Sequence, residues 1–354
     1  MAPSKKSEQI DPRRIIKINE ETVTNVAATD FPGHYPGEDH AWDLNLFRKN
    51  LKVEFHKNKP LHAEFDLIGV DAAIANAFRR ILIAEVPGLA IEYVYIQNNT
   101  SIIQDEVLSH RLGLLPLRGN KEAFDKMAWF KKPEAGEPTL PTERDTIVLT
   151  LKATCEKNKN AKKDEEDPNK LFINNNVYAR DVVFEPHGSQ KALYKKDPIR
   201  PTNPGILIAK LRPGQEIDLI MHAIKGVGKD HAKFSPVATA SYRLLPMITI
   251  KEPIEGELAD KFAKCFPKGV IEVTTDKKGV KTAKVADPRR DTVSRECLRH
   301  KEFQGIVELG RIRDHFIFSV ESTGMHDSDE LFLQSVAILK EKCKRLRSKL
   351  QSIE

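Results

Sequence analysis

Apolar side chains recur at helical spacing along two stretches of the chain and at the two-residue spacing of strands along several others. Within residues 71–85, Ile74, Phe78, Ile81 and Leu82 fall at steps of four, three and one, which draws an apolar stripe down one side of a helix. Ala72, Ala73, Ala75 and Ala77 add helix propensity and short side chains for close approach. Pro87-Gly88 ends the pattern. The second stretch, 331–350, is more regular. Phe332, Val336, Leu339, Cys343, Leu346 and Leu350 step by 4, 3, 4, 3 and 4, the a/d rhythm of a helix packed lengthwise on another helix. Asp327, three residues before Glu330, sits where an N-cap belongs, and a helix counted from there runs roughly 35 Å. Lys340, Lys342, Lys344, Arg345, Arg347 and Lys349 crowd its last turns, where the helix dipole favours cations. Six buried a/d side chains contribute about 10 kcal/mol before ordering costs. That is enough for packing on the chain's own sheet or for association, and the spacing does not choose between them.

Strand patterns lie at 51–56 and 61–67, joined by a turn around Asn58-Lys59-Pro60. In the first, Leu51, Val53 and Phe55 alternate with Lys52 and Glu54, predicting one buried and one wet face. Further strands are predicted at 89–97, 145–154, 177–184, 206–210 and 217–224, and a short helix at 105–112 closed by Gly113. Residues 1–13 read as a loose polar tail, and the Gly/Pro-punctuated stretch 30–37 as neither helix nor strand. Segments 131–145 and 156–170 are so charged or Pro-rich that they bury too little apolar surface to offset ordering, and they read as mobile loops.

Composition narrows the function. The chain has 354 residues, 40% of them hydrophobic and 31% charged, which suits a globular protein of two or three domains. Its 57 basic and 51 acidic residues leave a formal net charge of only +6, a mixed surface rather than a phosphate-gripping one. The N-terminus has no apolar run behind its lysines, so no signal peptide is expected, and no stretch approaches the ~20 apolar residues of a membrane helix. Cys155, Cys265, Cys297 and Cys343 are far apart and read as free thiols of a reducing compartment. Gly226-Val227-Gly228-Lys229 resembles part of a phosphate loop, but Ala223 and Asp230 occupy the places that need Gly and Ser or Thr. Glu106 and His110, at i and i+4, lack further ligands and read as surface polar groups. No nucleophile–base signature is present, so catalysis has no support in the motifs. Arg79-Arg80, beside the first apolar stripe, are either solvated or placed to meet a partner's carboxylates, a task that suits Arg better than Lys.

The run GVDAAIANAFRRILIAEVPG from Gly69 to Gly88 resembles the signature helix of the RNA polymerase alpha-subunit family. AIEYV at 90–94, NTS at 99–101 and DEVLSHRLGLLPL at 105–117 are similar to its archaeal and eukaryotic branch, as are HAKFSPVATASYR at 231–243 and FSVESTG at 318–324. The resemblance covers most of residues 40–350. The polymerase II paralogue carries a cysteine-clustered zinc loop that this chain lacks. FPGHYPG at 31–37 and Trp42 are instead similar to the larger alpha-like subunit shared by polymerases I and III.

The resemblance implies an α+β fold with an alpha-type dimerisation lobe, made of an antiparallel sheet and two long helices. That lobe would comprise residues 42–86 and 310–354, after an N-terminal extension (1–41). An inserted α/β lobe (87–250) and a degenerate ferredoxin-like insert (251–309) would complete the chain. In some archaeal relatives that insert binds an iron–sulfur cluster. Only Cys265 and Cys297 remain here where four thiolates are needed, so no cofactor is expected. The resemblance assigns Ile74, Phe78, Ile81, Phe332, Val336, Leu339 and Cys343 to a heterodimer core with the small alpha-like subunit. It assigns Arg79 and Arg80 to docking of the second-largest subunit. The implied role is non-catalytic assembly of nuclear polymerases I and III, in nucleus and nucleolus, alongside the small shared subunits. Nucleic acid would be met only through the complex, with no membrane involved. The alternatives are the polymerase II-type paralogue, or a free-standing nucleic-acid-binding protein using the basic C-terminus and lysine-rich loops.

Overall fold

A computed structural model describes residues 10–26, 37, 41–131, 141–162, 165–276 and 279–353. The 31–37 leader, apart from Gly37, and most of the 131–145 loop lie outside the described residues. The described helices are α1 (Leu44–Asn50), α2 (Ala72–Ala84), α3 (Asp105–Gly113), α4 (Lys121–Lys126), α5 (Pro168–Leu171), α6 (Gln190–Leu193), α7 (Glu257–Lys264) and α8 (Ser328–Gln351). With them go largely antiparallel sheets, so the fold is mixed α+β. Among the described residues no helix is long and apolar enough to cross a membrane.

The chain divides into two compact units. The first comprises Met1–His56, Glu64–Asn76 and Tyr242–Phe318. Its sheet runs, in spatial order, Val23–Thr24, Ile15–Ile18, Val307–Ser322, His62–Ile68 and Lys52–Lys59, with Val237–Ile250 also pairing to Val307–Ser322. Ile15–Ile18 pairs antiparallel with Val307–Ser322, so the N-terminal extension supplies a strand of this sheet; residues 1–9 of the predicted tail lie outside the described residues. Phe65 stacks on Phe318 with centroids 5.3 Å apart, and at the same distance Tyr242 meets Phe316 edge-on and Phe318 at a tilt. The predicted alternation in 51–56 fails: on the edge strand Lys52–Lys59, with no further described strand to flank them, Val53 and Phe55 are exposed like Lys52 and Glu54. The Phe55 ring still lies 5.2 Å from that of Phe65.

Residues 251–309 of this unit pack around Ala259, Phe262, Val270, Cys297 and Phe303, with Phe262 meeting Phe266 and Phe303 at 5.0 and 5.1 Å. The hairpin Ile271–Thr275/Lys281–Val285 faces α7. Arg289 reaches the buried carboxylate of Asp66, which also accepts from His56 Nε2 at 3.0 Å and His315 Nε2 at 2.9 Å.

The second unit comprises Lys57–Ala63, Ala77–Ser241 and Ser319–Glu354. Its sheet has the order Val182–Glu185, Thr146–Thr154, Glu216–Val227 and Pro87–Asn99, antiparallel throughout. Along 216–223 every second side chain is buried, as Ile217, Leu219, Met221 and Ala223 join Leu108, Leu112 and Phe124 in one core; 224–226 are buried without alternation. The strand predicted at 177–184 is broken by a 3-10 turn at Ala179–Asp181. There Asp181 accepts from the Tyr178 amide at 2.7 Å, giving the backbone a local partner in place of a ladder. Within 156–170 the described residues include a short hairpin strand, Glu156–Lys157, and α5, whose first turn is capped by Asp167 at 2.9 Å. Local capping gives order that hydropathy alone does not signal.

Candidate functional site

The N-terminus of α2 is held by Asp71, whose Oδ1 accepts from the Ala73 amide at 2.7 Å. Of the predicted stripe Phe78, Ile81 and Leu82 are buried, together with Ala75. The glycine pair that resembles a phosphate loop has a structural task at the other end of the helix. A Cβ on Gly228 would lie 2.1 Å from the Ile83 carbonyl oxygen, and the Lys229 amide donates to Ala84 O at 2.8 Å. Only a glycine lets the strand end approach the helix backbone so closely. Ile74, in the N-terminal turn, is 43% exposed. Arg80 is exposed and Arg79 half-buried.

In α8 the side chains change character along its length. Asp327 is extended, as an N-cap should be, but makes no side-chain cap bond; Ser328 instead anchors the start, its Oγ donating to Lys59 O at 2.8 Å and its amide to Pro60 O at 2.9 Å. Leu331, Phe332 and Ser335 are buried, and the Phe332 ring meets Phe78 of α2 edge-on at 5.3 Å. Beyond Ser335 the cover ends. Val336 is 39% exposed, Leu339 half-buried, and every residue from Lys340 to Leu350 exposed, with Leu346 at 64% and Leu350 at 65%. Lys342 Nζ reaches Glu85 Oε1 at 2.6 Å, and this ion pair ties the third turn after Phe332 to the end of α2.

The structure thus divides the residues singled out for pairing. Phe78, Ile81 and Phe332 pack inside this chain, whereas Ile74, Val336 and Cys343 are exposed and Leu339 lies between. The choice left open by the spacing falls both ways along one helix: the seam packs on its own chain for two turns, then runs uncovered. Leu346 and Leu350 continue that seam, and Leu333 stands 67% exposed beside Val336. Leu333 was legible only as an apolar residue one place off the a/d rhythm. Full burial of Leu346 and Leu350 would each release up to roughly 1.5–3 kcal/mol, and of the less exposed Val336 and Leu339 a part of that. A helical end of four turns is itself marginal in water without such cover.

Lys225 and His326 are buried with polar partners close by. Lys225 Nζ donates to the carbonyls of Phe124, Asp125 and Met127 at 3.3, 3.0 and 3.3 Å, closing the end of α4. Burial pushes its ammonium below the ordinary lysine value, against the pull of Asp125. Burial likewise lowers His326, opposed by Asp125 at 3.4 Å. Cys155, Cys265 and Cys297 are buried; burial raises all three thiols, that of Cys297 to about 12, whereas Cys343 is exposed. Glu106 and His110 both face solvent on α3. Among the described residues no group of three or more His, Cys, Asp or Glu stands where it could hold a metal ion.

Residues 64–343 match the family described as the RNA polymerase Rpb3/Rpb11 dimerisation domain. The chain is 51% identical over 342 residues to the Mus musculus protein named DNA-directed RNA polymerases I and III subunit RPAC1, covering 97% of this chain and 96% of that one. Its Homo sapiens namesake is 49% identical over 354 residues, covering 100% and 99%. Similarity to the Arabidopsis thaliana protein named DNA-directed RNA polymerases II, IV and V subunit 3 is lower, 31% over 319 residues, covering 88% and 95%.

Proposed function

The chain belongs to the RNA polymerase Rpb3/Rpb11 dimerisation family, and we propose that it serves as the larger alpha-like assembly subunit of DNA-directed RNA polymerases I and III. The observation that carries this reading is identity near one half along essentially the whole length of both chains. The polymerase II-type alternative rests on identity of 31% and is the weaker reading. The role is non-catalytic, in keeping with the absence of a nucleophile–base signature in the sequence, and its place is the nucleus, nucleolus included.

In this reading the uncovered run of α8, Val336, Leu339 and Cys343 with Leu346 and Leu350 beyond them, buries against a helix of the small alpha-like subunit. Phe78, Ile81 and Phe332 act from beneath, by holding α8 on α2. Ile74, exposed on α2, is a further contact. Arg79 and Arg80 meet carboxylates of the second-largest subunit, and the small shared subunits complete the assembly. The test is affinity purification of the full-length chain at endogenous level, with the co-purifying large subunits identified. Catalytic subunits of both polymerases I and III are expected. Recovery of polymerase II subunits instead would overturn the assignment.

A further inference from the structure

We infer that the helix received by α8 carries acidic residues along both sides of its apolar seam, and that this charge complementarity excludes a second copy of the present chain. The inference rests on the pairing reading above and concerns only what flanks the seam. With Val336, Cys343 and Leu350 at a and Leu339 and Leu346 at d, the flanking e positions hold Lys340 and Arg347, and the flanking g positions Lys342 and Lys349. All four are basic and all four are exposed. The e and g side chains are those that meet a partner helix across the seam and set its identity.

Three observations make this more than a solvated basic surface. Of the basic residues that the sequence pattern ascribes to the helix dipole, only Lys349 lies in the last turn, where that dipole acts; Lys340 and Lys342, two or more turns inside, are left unexplained by it. Lys342 already shows the preference within this chain, taking Glu85 at 2.6 Å. Lys340, Arg347 and Lys349 make no ion pair among the described residues. Two copies of α8 would set basic residues against basic residues whether parallel, where Lys342 faces the copy of Arg347, or antiparallel, where g meets g and e meets e. A nucleic-acid backbone would satisfy the charges but has no use for apolar residues repeating every three or four positions between them, so a protein helix fits better.

Cys343 provides the readout, since it lies in the seam and the other three thiols are buried. Two helical peptides of 24 residues serve as probes, both with leucine at a and d, one with glutamate and one with lysine at every e and g. The full-length chain is alkylated in the presence of each. The glutamate peptide is expected to protect Cys343 at concentrations at least tenfold below the lysine peptide, and the advantage to shrink as salt rises. The triple variant Lys340→Glu, Arg347→Glu, Lys349→Glu is expected to reverse the order. Equal protection by both peptides, or by neither, overturns the inference; so does stronger protection by a 20-base-pair DNA duplex than by the glutamate peptide. Failure of the pairing reading itself shows separately, as a Val336→Asp chain that still co-purifies with polymerase subunits at normal stoichiometry.

Discussion

Cys343 and Cys297 carry the same thiol in opposite settings. Cys297 is buried and its pKa driven to about 12, so almost none of it is thiolate near neutrality, while Cys343 faces water. One thiol in four is therefore expected to react quickly with a maleimide on the native free chain, and mass spectrometry of the digest should place the label on Cys343. Label on Cys155 or Cys297 at the same rate would mean the cores around them are open. Asp66 makes a second prediction at this scale. Burial alone would raise its pKa, yet hydrogen bonds and charge from Arg289 and His315 hold it below the ordinary carboxylate value. A depressed folded pKa stabilises the fold above the unfolded value, near 3.9, and that contribution fades as pH falls through the folded pKa. Asp66→Asn leaves Arg289 buried without its counter-charge, which should cost about 3–5 kcal/mol at neutral pH. The gap between variant and wild type should narrow in acid. Denaturant curves at several pH values measure it, and a gap constant with pH would refute the ion-pair account.

At the scale of elements, the proposed pairing would separate folding from association within the one helix α8. Phe332→Ala removes a ring packed on Phe78 and is expected to destabilise the free chain by about 3–5 kcal/mol. Val336→Asp, one turn on and 39% exposed, is expected to leave the free chain's Tm almost unchanged while abolishing pairing, because a carboxylate buried without a partner is costly. Thermal melts and co-purification of both variants decide it; equal loss of Tm would place Val336 in the chain's own core. The periodicities of Phe78, Ile81 and Leu82 and of Phe332, Val336 and Leu339 show where the two long helices lie, since helical spacing needs only one residue type in the right rhythm. It does not show where cover stops, because that depends on which strands from far along the chain lie beneath. The exposed Phe55 is the same lesson in a strand: alternation reports two faces, but only the sheet order reveals an edge. The hairpin strand Ile15–Ile18 and the break at Ala179–Asp181 were hidden for a related reason, as both are set by partners rather than by their own pattern.

For the whole molecule, the proposed pairing of the uncovered seam of α8 with a second chain would make stability and assembly one quantity. A partner that binds only the folded chain raises its Tm in proportion to the logarithm of its concentration over Kd. The alpha-type partner should therefore raise the chain's Tm in a concentration-dependent way, and Val336→Asp should remove the effect. Arg80 is exposed on α2. If it meets carboxylates of the second-largest subunit, Arg80→Glu replaces an attraction with a repulsion at a site the first pairing does not use. The variant is then expected to keep the partner-dependent rise in Tm in full while retaining several-fold less of the second-largest subunit in pull-downs. Loss of both together would mean that Arg80 belongs to the pairing surface, and loss of neither that its charge meets only water.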